Sequence, residues 1–242
     1  MSLYIQIVDF CNMSCGHCMM NCHNKRRGES MNHEVYAKSI QVAKRFDQPI
    51  TIGGGEPTLH KHLFDFLDFT LGRFDIEMVY LITNGSNKSK SLKLLDYKER
   101  YESFDCQLSL DDYHDPISED VIYAFEQEGS HAIRTVDPQH LIPMGGALEN
   151  QMVSDENYSG GCKCTSLFIK PNGDLKICAC EDADIVGNIL DMDDEDFEAL
   201  LDFCMDTEQE DSTDPCWSLI SDNRKKLLKE LVKPASEIQN AA

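Results

Sequence analysis

Three cysteines fall within eight residues, "CNMSCGHC" from Cys11 to Cys18, just after the apolar run "SLYIQIV". Thiolates spaced Cys-x3-Cys-x2-Cys can hold three corners of a [4Fe–4S] cube, because cysteine thiolate is the usual ligand of such clusters. A fourth cysteine would close the cage. Without it, one iron keeps a coordination position for something that reacts, by the logic that separates catalytic from structural metal sites. A structural zinc knot, or reduced cysteines that merely pack, are competing readings, and Cys22 is a nearby thiol that could upset the count.

The next apolar run, "PITI", leads into "GGGEPT", Gly53 to Thr58. Consecutive glycines let a ligand approach the backbone closely. Glu56 sets a carboxylate beside those free amides, an arrangement suited to the ammonium group of an amino acid, although a plain turn reads the same way. Farther on, "SLDDYHD" gathers carboxylates, a phenol and an imidazole. Asp112, Tyr113 and His114 are its candidate catalytic side chains, and a solvated acidic loop is the alternative. Cys22 and Cys106 are further thiols that could react, although buried packing cysteines are the plainer reading.

A second cysteine-rich stretch, "GGCKCTSLFIKPNGDLKICAC", has a Cys-x-Cys on each arm of a hairpin. In a two-residue Asn-Gly loop, Pro171 would stand where an N–H must close the ladder, and proline has none. A three-residue loop suits all three residues, with Pro171 and Asn172 in a type I turn and Gly173 left-handed as a G1 bulge. That register pairs Lys170 with Asp174 and Cys164 with Cys180. Side chains repeat every two residues along a strand, so Cys162, Cys164, Cys178 and Cys180 would share one face and form a metal site.

The elements that must position these groups are legible as alternation. "SLYIQIV", "PITIGGG", "IEMVYLITNG", "FDCQLSL" and "HAIRTV" read as strands, with amphipathic helical patterns such as "HEVYAKSIQVAKRF" and "HLFDFLDFTL" between them. Strands alternating with helices imply βαβ crossovers and a parallel sheet. A sixth strand is compressed into "QHLIPM". In such folds reactive groups gather at the carboxyl ends of the strands, where both motifs stand.

Composition bounds the setting. The chain has 242 residues, 11 cysteines and a formal net charge of −21. No apolar run approaches the roughly 20 residues of a membrane span, and the N-terminus lacks a basic leader or signal-peptide core. Clustered cysteines in a cytoplasmic chain more often bind metal than form disulfides. So negative a chain is ill suited to docking on a nucleic-acid backbone, where Lys and Arg must replace counterions. Between Glu181 and Asp222 there are many acidic residues and no Lys or Arg. That pattern reads as a solvated helix face or a partly disordered segment, with docking of a basic partner as the alternative. The final "SLISDNRKKLLKELVK" reads as an amphipathic helix.

The two strand-end motifs together resemble the radical S-adenosylmethionine (SAM) superfamily over about residues 4–147. The resemblance implies an α/β fold, a partial (β/α)6 barrel at 1–150. It implies that Cys11, Cys15 and Cys18 hold a [4Fe–4S] cluster whose open iron takes the amino and carboxylate groups of SAM. Reductive cleavage would then give methionine and a 5′-deoxyadenosyl radical that abstracts hydrogen from a substrate. Gly54, Gly55 and Glu56 would meet the SAM ammonium. Asn84, Ser109 and Asp111 would bond the ribose or carboxylate, Arg134 would pair with the carboxylate, and His17 would pack on adenine. "IPMGGALEN" looks like the family's Pro-x-Gly-Arg-Ala segment, with Gly146 where arginine is frequent.

Residues 151–242 resemble the short SPASM or twitch extension, in which a Cys-x(9–15)-Gly-x4-Cys pattern, here Cys162, Gly173 and Cys178, supplies ligands to an auxiliary [4Fe–4S] cluster. The later cysteine run of a full SPASM form is missing, and only Cys204 and Cys216 follow. Zinc on four thiolates is the alternative occupant. A peptide or protein substrate is the first expectation and a small molecule, nucleoside or cofactor precursor, the second. An iron–sulfur electron carrier or regulator is the non-enzyme reading. Flavodoxin or ferredoxin would supply electrons; the oligomeric state is not set by the sequence.

Overall fold

The computed structural model describes residues 2–22, 27–136, 141, 145–153, 166–177, 179 and 183–209. Its first half is a repeat of strand and helix: β1 (Ser2–Val8), α1 (His33–Arg45), β2 (Ile50–Gly54), α2 (Leu63–Arg73), β3 (Val79–Thr83), α3 (Lys88–Arg100), β4 (Phe104–Ser109), α4 (Glu119–Gln127) and β5 (Ile133–Arg134). These five strands pair in parallel in sequence order. The fold is α/β with a mostly parallel sheet, as expected of a partial TIM-type barrel.

Local chemistry explains the elements. Asn32 caps α1 by accepting the Val35 N–H at 2.9 Å, and Asn87 caps α3 by accepting that of Lys90 at 3.3 Å; each satisfies an amide that the helix cannot. Alternate positions of β1, namely Leu3, Ile5 and Ile7, are fully buried in one core with Val35 and Ile40 of α1. Tyr36 of α1 and Phe66 of α2 stack with centroids 3.9 Å apart and lock those two helices together. Cys106 is fully buried in this core, so packing is its role.

The fifth strand is shorter than "HAIRTV" suggests: only Ile133–Arg134 joins the sheet. The sixth strand expected in "QHLIPM" lies, except for Leu141, outside the described residues. Instead of ending at β1, the sheet continues through β6 (Ser166–Ile169), β7 (Asp174–Lys176) and β8 (Gly187–Asn188), in the order β5-β4-β3-β2-β1-β6-β7-β8. β6 runs parallel to β1, pairing Leu3 with Leu167 and Ile5 with Ile169.

The β6–β7 hairpin has the register argued from Pro171. Phe168 pairs with Lys176 and Ile169 with Leu175. Lys170 N–H donates to Asp174 O at 2.8 Å, and Gly173 N–H donates to Lys170 O at 2.9 Å. Gly173 has φ of +92°, the left-handed conformation that glycine adopts without strain. Cys162, Cys164, Cys178 and Cys180 lie outside the described residues.

Within the acidic stretch, α6 (Asp194–Gln209) is a helix whose Phe197 and Leu200 are buried. Phe197 meets Phe46 with centroids 5.3 Å apart, and Asp194 pairs with Arg45 at 2.8 Å. Acidic residues in its first turn suit the positive end of the helix dipole. Among the described residues no helix is long and apolar enough to cross a membrane.

Candidate active site at the strand ends

The chain leaves β1 at Val8 and reaches Cys11 through Asp9 and Phe10, and the glycine loop after β2 packs directly on this stretch. Gly55 N–H donates to Val8 O at 2.9 Å, Glu56 N–H to Phe10 O at 3.0 Å, and Gly54 N–H to the Tyr4 hydroxyl at 3.2 Å. The amides expected to stand open to a ligand are thus spent within the protein. Gly54 has φ of +136°, and a Cβ there would lie 2.2 Å from Val8 O; one on Gly55 would lie 2.0 Å from Phe10 O. The glycines let two backbones touch, fixing the cysteine loop to β2.

Glu56 is 1% exposed. Its carboxylate accepts from Thr58 N–H at 3.0 Å, Thr83 Oγ1 at 2.8 Å and Asn84 N–H at 2.7 Å. It therefore caps the single 3-10 turn Pro57–Leu59 and ties the end of β2 to the end of β3. Burial pushes its pKa up, against the hydrogen bonds that favour the ionised form. Lys90 of α3 braces the same turn, donating to Thr58 O and, at 3.2 Å, to His60 O. Spacing pointed to neither Thr83 nor Lys90; position at a strand end was the sole signal for Thr83.

The three cysteines share an apolar patch. Cys11 and Cys22 are buried with Met13, and Cys15 and Cys18 pack against them. Burial, then repulsion from Cys11 and Cys18, pushes the Cys15 thiol up to about 12. Cys11 is also raised, first by burial, although the Met13 N–H opposes this. Thiols so placed ionise at neutral pH only when a cation compensates them, as a coordinated metal does. The donor set therefore fits a cationic iron cluster.

The "GGALE" segment is α5 (Gly145–Glu149) and supports this loop. Gly146 N–H donates to Cys18 O at 2.8 Å, Asn150 Nδ2 donates to Gly16 O at 2.9 Å, and Asn21 Nδ2 donates to Glu149 Oε1 at 2.7 Å. A Cβ on Gly146 would lie 2.7 Å from Gly16 O. The helix approaches the loop so closely here that any side chain at position 146 would meet the Gly16 and Cys18 backbone.

At the end of β4, Asp111 joins the two loops. Its Oδ1 accepts from His114 Nδ1 and Tyr113 N–H at 2.8 and 2.9 Å, and its Oδ2 lies 3.7 Å from His17 Nε2. The His17 ring lies against those of Tyr113 and His114, with centroids 4.9 and 5.3 Å away. Burial would raise the Asp111 pKa, but the His114 and Tyr113 hydrogen bonds outweigh it and leave the carboxyl below its usual value. Burial lowers the His17 pKa, with the charges of His114 and Arg134 adding to the effect and Asp111 opposing it. Ser109 and Arg134 are direct neighbours across β4 and β5. Asp112 is exposed and takes no part in this cluster. Among the described residues, Asp111 Oδ2 and His17 Nδ1 are buried without a hydrogen-bond partner.

The Radical SAM superfamily pattern matches residues 5–127, more than half of the 242-residue chain. The chain belongs to the radical SAM superfamily. It is an enzyme of that superfamily, with a [4Fe–4S] cluster and SAM as cofactors. No curated protein sequence matches it. Among solved structures it is similar to BtrN in complex with AdoMet and 2-DOIA, at 16% identity and a TM-score of 0.60, covering 98% of this chain and 89% of that one. It is similar to anSMEcpe with bound AdoMet and Cp18Cys peptide, at 16% identity and 0.55, covering 99% and 85%. Streptococcus suis SuiB bound to precursor peptide SuiA gives 16% and 0.52, covering 95% and 70%. At these identities the likeness establishes the fold.

Proposed function

We propose that this radical SAM enzyme abstracts hydrogen from a peptide or protein substrate at the mouth formed by the ends of β1 to β5. The observation that carries the site is the convergence of the cysteine loop, the glycine loop and the β4 loop on one another. Cys11, Cys15 and Cys18 hold the cluster in this reading. When bound, the cluster supplies the electron that cleaves SAM to methionine and a 5′-deoxyadenosyl radical.

The chain's own groups bind and orient. Asp111 Oδ2, kept ionised and without a hydrogen-bond partner, needs a donor such as a ribose hydroxyl, and His17 presents a second unpaired polar atom beside it. Arg134 and Ser109 are assigned to the SAM carboxylate and ribose. Gly54, Gly55 and Glu56 shape the floor under the SAM amino group through backbone packing. Tyr113 and His114 are assigned to substrate, with His114 held through Nδ1 by Asp111; Asp112 is assigned to the outer rim. The auxiliary-cluster reading of the β6–β7 hairpin, as a twitch-like extension, belongs to the same proposal, as does a flavodoxin or ferredoxin donor.

Two of the similar structures carry peptides, which supports a peptide substrate; BtrN, with 2-DOIA, supports a small molecule as the second reading. The test is anaerobic reconstitution with SAM and dithionite. Wild type should form 5′-deoxyadenosine, and the Cys11, Cys15 and Cys18 triple alanine variant should not. Deuterium transfer into 5′-deoxyadenosine from perdeuterated peptide pools, but not from small-molecule pools, would support the substrate class. The reverse pattern would replace it with the second reading.

A further inference from the structure

Asn84 was assigned to SAM by likeness, but its side chain has no valence left for a ligand. Ser86 N–H donates to Asn84 Oδ1 at 3.0 Å. An N–H can only donate, so the oxygen of the amide must lie on that side and the –NH2 on the other. The Ser86 hydroxyl donates to the same oxygen at 2.7 Å. The –NH2 donates one hydrogen to Asn12 Oδ1 at 3.2 Å and approaches Cys11 Sγ at 3.5 Å with the other. Asn12 Nδ2 then donates to Ser86 Oγ at 2.8 Å, closing a ring of three side chains. The Asn84 backbone N–H is held separately by Glu56. With 7% exposure, this amide cannot swing to solvent without breaking the ring.

We propose that the Asn84 amide donates a hydrogen bond to the Cys11 sulfur in the loaded enzyme and raises the reduction potential of the [4Fe–4S] cluster. This rests on the reading that Cys11 is a cluster ligand. The sign follows from charge. Reduction adds an electron to a thiolate-bound cluster, the sulfurs become better acceptors, and a fixed N–H donor favours the reduced form; hydrogen bonds to the sulfurs are among the groups that set such potentials. Met13 N–H makes a second approach to the same sulfur at 3.4 Å, but a backbone donor cannot be removed by substitution. Asn84 is thus a tuning residue that acts through Cys11, with Ser86, Asn12 and Glu56 fixing its direction.

The experiment is a potentiometric titration of reconstituted enzyme without SAM, followed by electron paramagnetic resonance. The signal that SAM addition perturbs identifies the cluster concerned. Asn84→Ala removes the donor and should move the one-electron equilibrium toward the oxidised form about tenfold, ~59 mV. Asn84→Asp, nearly isosteric, replaces the donor with an anion and should move it further in the same direction. Ser86→Ala keeps the amide but loosens its orientation and should give a smaller shift, which keeps the proposal testable if an Asn84 variant loads no cluster. Unchanged potentials in every variant that loads iron would overturn the proposal. So would an unchanged potential with altered SAM affinity, which would return Asn84 to the ligand. If the SAM-sensitive signal survives in the triple cysteine variant, the ligand reading itself fails, and the two failures are separable.

Discussion

Phe168 lies flat on Tyr4, with ring centroids 4.8 Å apart and planes 7° from parallel, and the two are register partners on adjacent parallel strands. Tyr4 in turn meets Gly54 through its hydroxyl. The hairpin is therefore seated on the strand that delivers the cysteine loop, and the glycine loop rests on the same ring. Phe168 is 4% exposed. Phe168→Ala should cost ~3–5 kcal/mol, the range for emptying a buried aromatic site. Urea denaturation monitored by circular dichroism checks this; a loss below about 1 kcal/mol would mean that the hairpin is not held through this stack.

Glu56 leads to a different expectation from the one that sequence alone supports. As a ligand contact, its loss would weaken SAM binding and leave the fold intact. With three protein donors on the carboxylate, Glu56→Ala strands them in a buried site, at ~1–3 kcal/mol for each group left unsatisfied. The variant should be destabilised by about 3 kcal/mol or more before any SAM is added. Thermal melts of the SAM-free protein measure it. A melting temperature equal to wild type, together with weaker SAM binding, would show that the carboxylate works on the ligand.

Local patterns were the legible ones. The cysteine spacing, the strand–helix alternation and the Pro171 turn each depend on neighbours in sequence, and each is present where the structure describes it. The direction of a polar side chain does not depend on neighbours alone. Glu56 and Asn84 stand at strand ends as expected, but their partners, Thr83 on β3 and Cys11 in the loop after β1, are remote in sequence, and only tertiary packing decides which valences remain open. The close approach of Gly146 to Gly16 is of the same kind. Continuation of the sheet from β1 into β6 was also hidden, because pairing between strands more than 150 residues apart leaves no local periodic mark.

His60 offers a pH test away from the iron site. It is fully buried, its Nδ1 accepts His62 N–H at 3.1 Å, and its Nε2 faces Met31 O at 2.9 Å. The neutral Nε2–H tautomer satisfies both neighbours, whereas a proton on Nδ1 would face another N–H. Burial lowers the pKa below the ordinary 6.5, although the bond to Met31 opposes it. The unfolded chain therefore binds the proton more readily, so the contribution of this group to stability is complete above about pH 6.5 and declines as pH falls toward the depressed folded value. Wild type should lose stability as pH falls below about 6.5 more steeply than His60→Gln. Parallel slopes for the two proteins in urea titrations would rule out His60 as the source.

The hairpin site is tested by iron. The described ladder pairs Phe168 with Lys176 and Lys170 with Asp174, the register that sequence reasoning derived from Pro171. If that alternation ran on beyond the described strands, Cys162, Cys164, Cys178 and Cys180 would share one face, whereas a two-residue loop would set the arms' cysteines on opposite faces. Reconstitution should then give about eight irons per chain, two [4Fe–4S] clusters. Replacing these four cysteines with serine should halve that value and preserve the SAM-sensitive signal, because the Cys11–Cys18 loop is held by the glycine loop and by α5. An iron content of about four in wild type, or zinc bound in proportion to the four thiols, would reject the auxiliary cluster and leave the radical SAM site standing. Loss of both signals in the serine variant would show that the sites are coupled through the sheet that joins β6 to β1.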